Sequence, residues 1–204
     1  MRSNIAKSIF VDSAPEGGYS KDKTAEIILG APGSGKSSVV ASRLKQDLKA
    51  VELDSDIVKE FMPEFDNGIG ANAVHAESKT ILDQLMRKAT DKGYNIVHPV
   101  VGHNPDKMTK LVDNLRKKGY TVNVRLVDIP AEESLKRVVN RFGSQGRVIP
   151  PEYVDKIGDK PLQTYKQMKE KGYGNVFTHF DNNVEFGTPP IIKESTDPRF
   201  RAQE

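Results

Sequence analysis

Residues Gly30-Ala31-Pro32-Gly33-Ser34-Gly35-Lys36-Ser37 match G-x-x-x-x-G-K-[ST] at every fixed position. Glycines there permit backbone angles closed to other residues, so successive N–H groups can converge on phosphate oxygens. A helix starting near Lys36 adds the positive end of its dipole, and Ser38 lies in its first turn. In this pattern the lysine reaches the β and γ phosphates and the Ser37 hydroxyl is the Mg²⁺ ligand. A chance match in a chain of 204 residues is on the order of one in a hundred. The eight residues therefore predict a nucleotide site.

A second constellation comes in Leu53-Asp54-Ser55-Asp56. Asp56 lies 20 residues beyond Lys36, enough for one helix down and one strand back to the same rim. Strands lie about 4.8 Å apart, so an acid one or two strands away stands roughly 5 to 10 Å from the loop. That gap holds a γ-phosphoryl group and an acceptor hydroxyl, and a carboxylate there can take the hydroxyl proton as general base. Asp54 is read on the substrate side, holding a magnesium-bound water. Each aspartate also has a plain helix-capping reading.

Phosphoryl transfer gains mainly from positioning and from cations around the transferred oxygens, an arginine contributing roughly 10³ to 10⁵ in rate. Arg137 and Arg141 share one helix face, and Arg147 comes next in the glycine-flanked stretch Gly143 to Arg147. An arginine on a loop after a helix is how a closing lid is built. The alternative is solvated pairing of Arg137 and Arg141 with Glu132 and Glu133. His98 and His103 bracket the end of the third strand, where they contact substrate or fill the rim. Lys107, Lys110, Arg116, Lys117 and Lys118 decorate one helix, as a solvated face or a docking patch for an anionic partner.

These residues need elements to hold them. Apolar runs at 25–29, 50–53, 95–101, 121–127 and 175–180 read as strands, and helices are expected over 36–47, 72–92, 104–118 and 131–142. Pro150-Pro151 opens a further helical region, interrupted around residues 158–161. In the helix over 131–142 the buried stripe is read as Leu135, Val138, Val139 and Phe142. Strand–helix alternation predicts an α/β fold with a central parallel five-stranded sheet and helices on both faces. Ligands in such sheets bind beyond the carboxyl ends of the strands. Residues 1–23, rich in turn formers, are expected as a loose leader with at most a short strand near Ile9; residues 24–187 form the domain and 188–204 a tail.

Composition narrows the chemistry. A formal charge of +3, with no Trp and 7% aromatics, argues against holding a nucleic acid by bulk charge or by stacking. The absence of cysteine excludes a disulfide framework, a thiol nucleophile and thiolate metal sites. The sequence carries no run of the roughly 20 apolar residues that span a bilayer, so a cytoplasmic protein is expected. A guanine-reading Asn-Lys-x-Asp is missing, and the third strand ends His98-Pro99-Val100-Val101 without the acid that switches and motors place there.

Together GAPGSGKSS at 30–38, LDSD at 53–56, GYNIV at 93–97, KKGYTV at 117–122 and RVVNRFGSQGRVIPPEY at 137–153 resemble the zeta-toxin family of P-loop kinases. The resemblance implies a three-layer P-loop kinase fold and transfer of the γ-phosphate of ATP, with Mg²⁺, to a hydroxyl of a nucleotide sugar or related nucleotide. It implies Asp56 as base, Lys36 and Ser37 on phosphate and Mg²⁺, and Arg141 and Arg147 as γ-phosphate clamps. It also implies a small protein antitoxin as partner. Where the family's third strand commonly ends in Glu-Gly-Thr, this chain has Pro99-Val100-Val101-Gly102, which leaves the acceptor open. Two other readings stand beside it: a polynucleotide 5′-hydroxyl kinase, and an ATP-binding switch or idle binder without turnover.

Overall fold

The computed structural model describes residues 2–62, 74–145 and 149–201. Its elements run α1 (Arg2–Asp12), β1 (Thr24–Leu29), a π-helical segment (Lys36–Ala41) continuing into α2 (Ser42–Asp47), β2 (Val51–Glu52), α3 (Ser55–Glu60) and α4 (His75–Asp91). Then come β3 (Ile96–Val100), α5 (Pro105–Lys117), β4 (Thr121–Asp128), α6 (Ala131–Gln145), α7 (Pro151–Ile157), α8 (Lys160–Glu170), β5 (Val176–Asp181) and β6 (Ile191–Ser195). The sheet order is β2-β3-β1-β4-β5-β6. The first five strands are parallel and β6 is antiparallel to β5.

Period-two alternation along each strand splits the core in two. In β1, Ala25, Ile27 and Leu29 join one cluster with Ile81 and Leu85 of α4, Val112 and Leu115 of α5, and Tyr165 and Met168 of α8. Ile28 faces the other way and packs with Val40, Ala41 and Leu44, together with Val97, Val127 and Phe180. The two layers of helices thus close over a sheet whose central strands are apolar on both sides, as a parallel sheet requires.

The structure departs from the sequence expectations at both ends of the chain. The segment expected as a loose leader with a strand near Ile9 folds as α1, with Ala6 and Ile9 buried three residues apart on its inner face. Tyr19 hydroxyl donates to the Phe10 carbonyl at 3.2 Å, and Phe10, Tyr19 and Tyr94 pack ring on ring. In the expected tail, β6 adds a sixth strand where five were expected. Beyond it Asp197 is buried against the sheet. Within residues 196–200, Asp197 pairs with the buried Arg125, Arg199 with the buried Glu26, and the Phe200 ring packs edge-on to Phe180, so this segment is drawn in by charge and apolar contact together.

Helix boundaries obey local chemistry. Asn104 caps α5 by accepting from the Lys107 N–H at 3.0 Å, with Pro105 in the first turn, where a missing N–H costs nothing. In α6 the stripe differs from expectation. Ser134 and Val138 are buried, but Val139 is 54% exposed. The phosphate loop presses on the Ser134–Arg137–Val138 face, which turns Val139 outward. The side chain of Phe142 lies outside the described residues.

Candidate active site

β1 delivers the phosphate loop to the carboxyl edge of the sheet, and two neighbouring elements fix its shape. Gly35 takes φ 90°, a left-handed angle, and a Cβ on it would lie 2.4 Å from Asn182 Nδ2. That amide, just past β5, donates to the Ser34 carbonyl at 2.8 Å. From α6, Ser134 Oγ donates to the Pro32 carbonyl at 2.6 Å. Arg137 pairs with Glu133 at 3.0 Å and donates to the Asn182 carbonyl at 2.9 Å. Of the two glutamates expected as partners for Arg137 and Arg141, Glu133 takes Arg137 while Glu132 pairs with Lys136. The guanidinium of Arg137 thus staples the loop after β5 and does not point at a transferred phosphate. None of Asn182, Ser134 and Arg137 in these roles was legible in the sequence, because each acts through a backbone carbonyl that carries no residue identity.

Lys36 starts the π-helical segment, and its ammonium donates to the Gly30 and Ala31 carbonyls at 2.7 and 2.8 Å. Those bonds curl the side chain over the loop. Ser34 Oγ is buried without a hydrogen-bond partner among the described residues. A buried hydroxyl left so is costly; it lies against Gly30, where a Cβ would meet it at 2.6 Å.

The two aspartates separate cleanly. Ser37 Oγ donates to Asp54 Oδ2 at 2.9 Å, while Asp54 Oδ1 accepts from the Asp56 N–H at 2.9 Å. One buried carboxylate therefore caps α3 and touches the phosphate-loop serine, so capping and chemistry coincide. Asp56 sits in the first turn of α3, its carboxylate 3.4 Å from the buried Lys59 ammonium. Because β3 intervenes between β2 and β1, Asp56 belongs to a strand two places from the loop, at about the 10 Å end of the expected range.

Asp128, at the end of β4, stands on the other side. It lies 3.4 Å from His179 Nε2. It also lines a cavity of about 380 Å³ with Asp159, Asp181 and Lys193. The acid on Ser37 is Asp54.

On β3, His98 Nδ1 lies 2.6 Å from the Leu53 carbonyl. A carbonyl only accepts, so Nδ1 carries the proton and Nε2 keeps its lone pair. Burial lowers the affinity of the ring for a second proton, more than the Leu53 carbonyl raises it. His103 is exposed just beyond the strand. Arg141 lies on α6 one turn after Arg137, exposed to solvent. Arg147 lies outside the described residues. The structure thus joins Lys36, Ser37, Asp54, Asp56 and His98 around the ends of β1, β2 and β3.

A mostly parallel sheet, a phosphate loop after its central strand and an acid pair two strands away define a P-loop kinase fold. The zeta toxin family profile matches residues 13–185, and the chain belongs to that family. A zeta toxin of Enterococcus hirae is 25% identical over 126 residues, 58% of this chain and 44% of that protein. One from Streptococcus pyogenes matches to the same extent. The chain thus spans less than half the length of these curated relatives. A structure from the PezAT chromosomal toxin–antitoxin system of Streptococcus pneumoniae shares the fold with TM-score 0.73 and 18% identity, over 95% of this chain and 80% of that one. AvrRxo1-ORF1:-ORF2 with ATP gives TM-score 0.67 at 17% identity, over 95% and 63%. Among the described residues no helix is long and apolar enough to cross a membrane.

Proposed function

We propose that this protein is an ATP- and Mg²⁺-dependent phosphotransferase that moves the γ-phosphate of ATP to a hydroxyl of a small nucleotide-type acceptor, a nucleotide sugar or a relative of one. The observation that carries this reading is the Ser37–Asp54 hydrogen bond. It ties the phosphate loop to the acid pair across an intervening strand, leaving Asp56 one residue past the shared carboxylate's neighbour Ser55. Hard oxygen donors of this kind, a serine hydroxyl beside a carboxylate, suit Mg²⁺. The metal when bound neutralises charge on the β and γ oxygens. Ser37 would hold it directly and Asp54 through a water.

The chain's own residues then divide the step. Lys36 leaves the Gly30 and Ala31 carbonyls to hold the β and γ phosphates, while the loop amides and Ser34 cradle them. Asp56 accepts the proton of the acceptor hydroxyl as its oxygen attacks the γ phosphorus. The bond from that phosphorus to the β–γ bridging oxygen breaks, and ADP leaves with the electron pair. Arg141 and Arg147 serve as clamps for the transferred oxygens, and His98 and His103 line the acceptor side. The likeness to toxin–antitoxin structures supports a small neutralising protein as partner.

Asp56→Asn tests the base directly. Transfer should fall by about 10² to 10⁴ while ATP affinity, measured by calorimetry, stays within twofold of the parent, a range of about 0.4 kcal/mol. Normal turnover in that variant would remove Asp56 from the chemistry.

A further inference from the structure

Five charged residues are buried among the described ones: Glu26, Asp54, Lys59, Arg125 and Asp197. Taking a charge out of water is expensive unless a well-placed partner offsets it, so each needs a reason to be there. Four have one. Glu26 and Asp197 both pair with Arg125, and Asp54 caps α3 and accepts from Ser37. Lys59 is left over, and it lies on α3 three residues past Asp56.

The Lys59 side chain is only 7% exposed, and among the described residues its ammonium pairs with Asp56 Oδ1 alone, at 3.4 Å. Its surroundings are otherwise those of a hydrophobic residue. Val58 and Met62, close to it along the chain, are buried in the core cluster that includes Val74 and Ile81, where α3 packs on α4. Such a setting favours an ammonium over a methionine only if there is an anion to face. Packing around the buried stem limits its rotamers, so the Lys59 ammonium is a fixed point. Asp56, by contrast, keeps 31% of its side chain exposed. A half-open aspartate in the first turn of a helix can change rotamer unless something holds it.

We infer that Lys59 is a positioning residue for phosphoryl transfer: its buried ammonium holds the Asp56 carboxylate in the orientation that takes the proton of the acceptor hydroxyl. The inference rests on the phosphotransferase reading. In this role Lys59 acts only through Asp56 and keeps its own protons throughout; the bonds made and broken are those of the transfer itself. What the ammonium supplies is position, and position is what this reaction needs, since phosphoryl transfer leaves the protein little covalent chemistry to do. A displacement of about 1 Å at a catalytic group can cost about 10² in rate.

A double-mutant cycle tests this. The parent, Lys59→Met, Asp56→Asn and the double variant are each given γ-labelled ATP, Mg²⁺ and a pool of nucleotides and nucleotide sugars. Initial rates of label transfer into the pool are measured at varied ATP. Methionine fills the space of the lysine stem without its charge, a replacement that buried ion pairs commonly tolerate. AMP-PNP binding by calorimetry checks that the nucleotide site is intact, and Lys59→Gln takes the place of Lys59→Met if it is not. Lys59→Met should lower the maximal rate about 10- to 100-fold, with KM for ATP within about twofold of the parent. In the Asp56→Asn background it should change the rate by no more than about twofold, because the two residues act as a unit. A purely structural lysine would cost the same factor in both backgrounds. A parent-like rate in Lys59→Met, a loss seen in KM alone, or an equal loss in both backgrounds overturns the inference and leaves the phosphotransferase reading in place. No transfer by the parent, or undiminished transfer in Asp56→Asn, sinks that reading and the inference with it.

Discussion

At the scale of single residues, Asp54 is the pivot, because one carboxylate serves a helix cap and a phosphate-loop hydroxyl. The two jobs come apart by substitution. Asparagine caps as well as aspartate does, whereas alanine does not cap. Asp54→Asn should therefore keep its melting temperature near the parent's while raising the Mg²⁺ concentration needed for half-maximal ATP turnover. Asp54→Ala should in addition lose about 1 kcal/mol of stability in urea titration. Equal Mg²⁺ requirements in parent and Asp54→Asn would disconnect the acid from the metal. Much of this site was legible beforehand: the spacing from Lys36 to Asp56 already implies a return to the same rim. The sequence did not reveal that β3 would lie between the two, since strand order is set by packing across the sheet and not by order along the chain. Nor did it show Asn182 wedged against Gly35. There Gly35→Ala meets both a left-handed backbone and an amide 2.4 Å away, and it should abolish ATP binding in a chain that still folds.

At the scale of elements, the chain end differs most from expectation. Residues 196–200 looked like a tail because Pro, Asp and Arg are surface residues by habit. Their partners are charges hidden in strands and, for Phe200, the buried ring of Phe180. Glu26 and Arg125 are fully buried and pair at 2.8 Å, and Arg125 also bonds Thr178 and Asp197. Arg199 reaches Glu26 at 2.9 Å and Asp197 at 2.8 Å, and Phe200 lies under the Arg125 guanidinium. Removing one partner of such a network leaves an uncompensated buried charge, so Arg125→Ala should cost about 3 to 5 kcal/mol in urea unfolding. A loss under about 1 kcal/mol would mean that water or a shifted side chain replaces the guanidinium. The same network sets a pH dependence. Burial alone would raise the Asp197 carboxyl, but hydrogen bonds from Arg199 and Arg125 outweigh it and hold the group well below the usual carboxylate range. A depressed value gives stability that is present above about pH 3.9, the ordinary aspartate value, and is lost as the pH falls through the lower folded one. Asp197→Asn should thus be less stable than the parent at about pH 7, with the gap closing in acid. A gap that does not change with pH would contradict this pairing. For α1, the turn-rich stretch at 13–20 suggested a loose start, while the Ala6/Ile9 spacing that buries its inner face is too short a signal to stand out.

For the molecule as a whole, the sheet gathers three loops with different tasks at one rim. In the proposed reading the loop after β1 cradles phosphates, the turn after β2 supplies the acid pair, and the stretch after β3 faces the acceptor. On that reading a donor side and an acceptor side have a single strand, β3, between them. This division was foreseeable in outline, because alternating strands and helices put every βα loop at the same edge. The most direct test of the whole arrangement is mass spectrometry of a nucleotide and nucleotide-sugar pool incubated with ATP, Mg²⁺ and either the parent protein or Asp56→Asn. One or more phosphate-bearing members of the pool should gain about 80 Da, one phosphoryl group, with the parent and not with the variant. ATP bound by the parent with no mass gain anywhere in the pool, or the same gain with Asp56→Asn, would contradict a phosphotransferase built on this carboxylate.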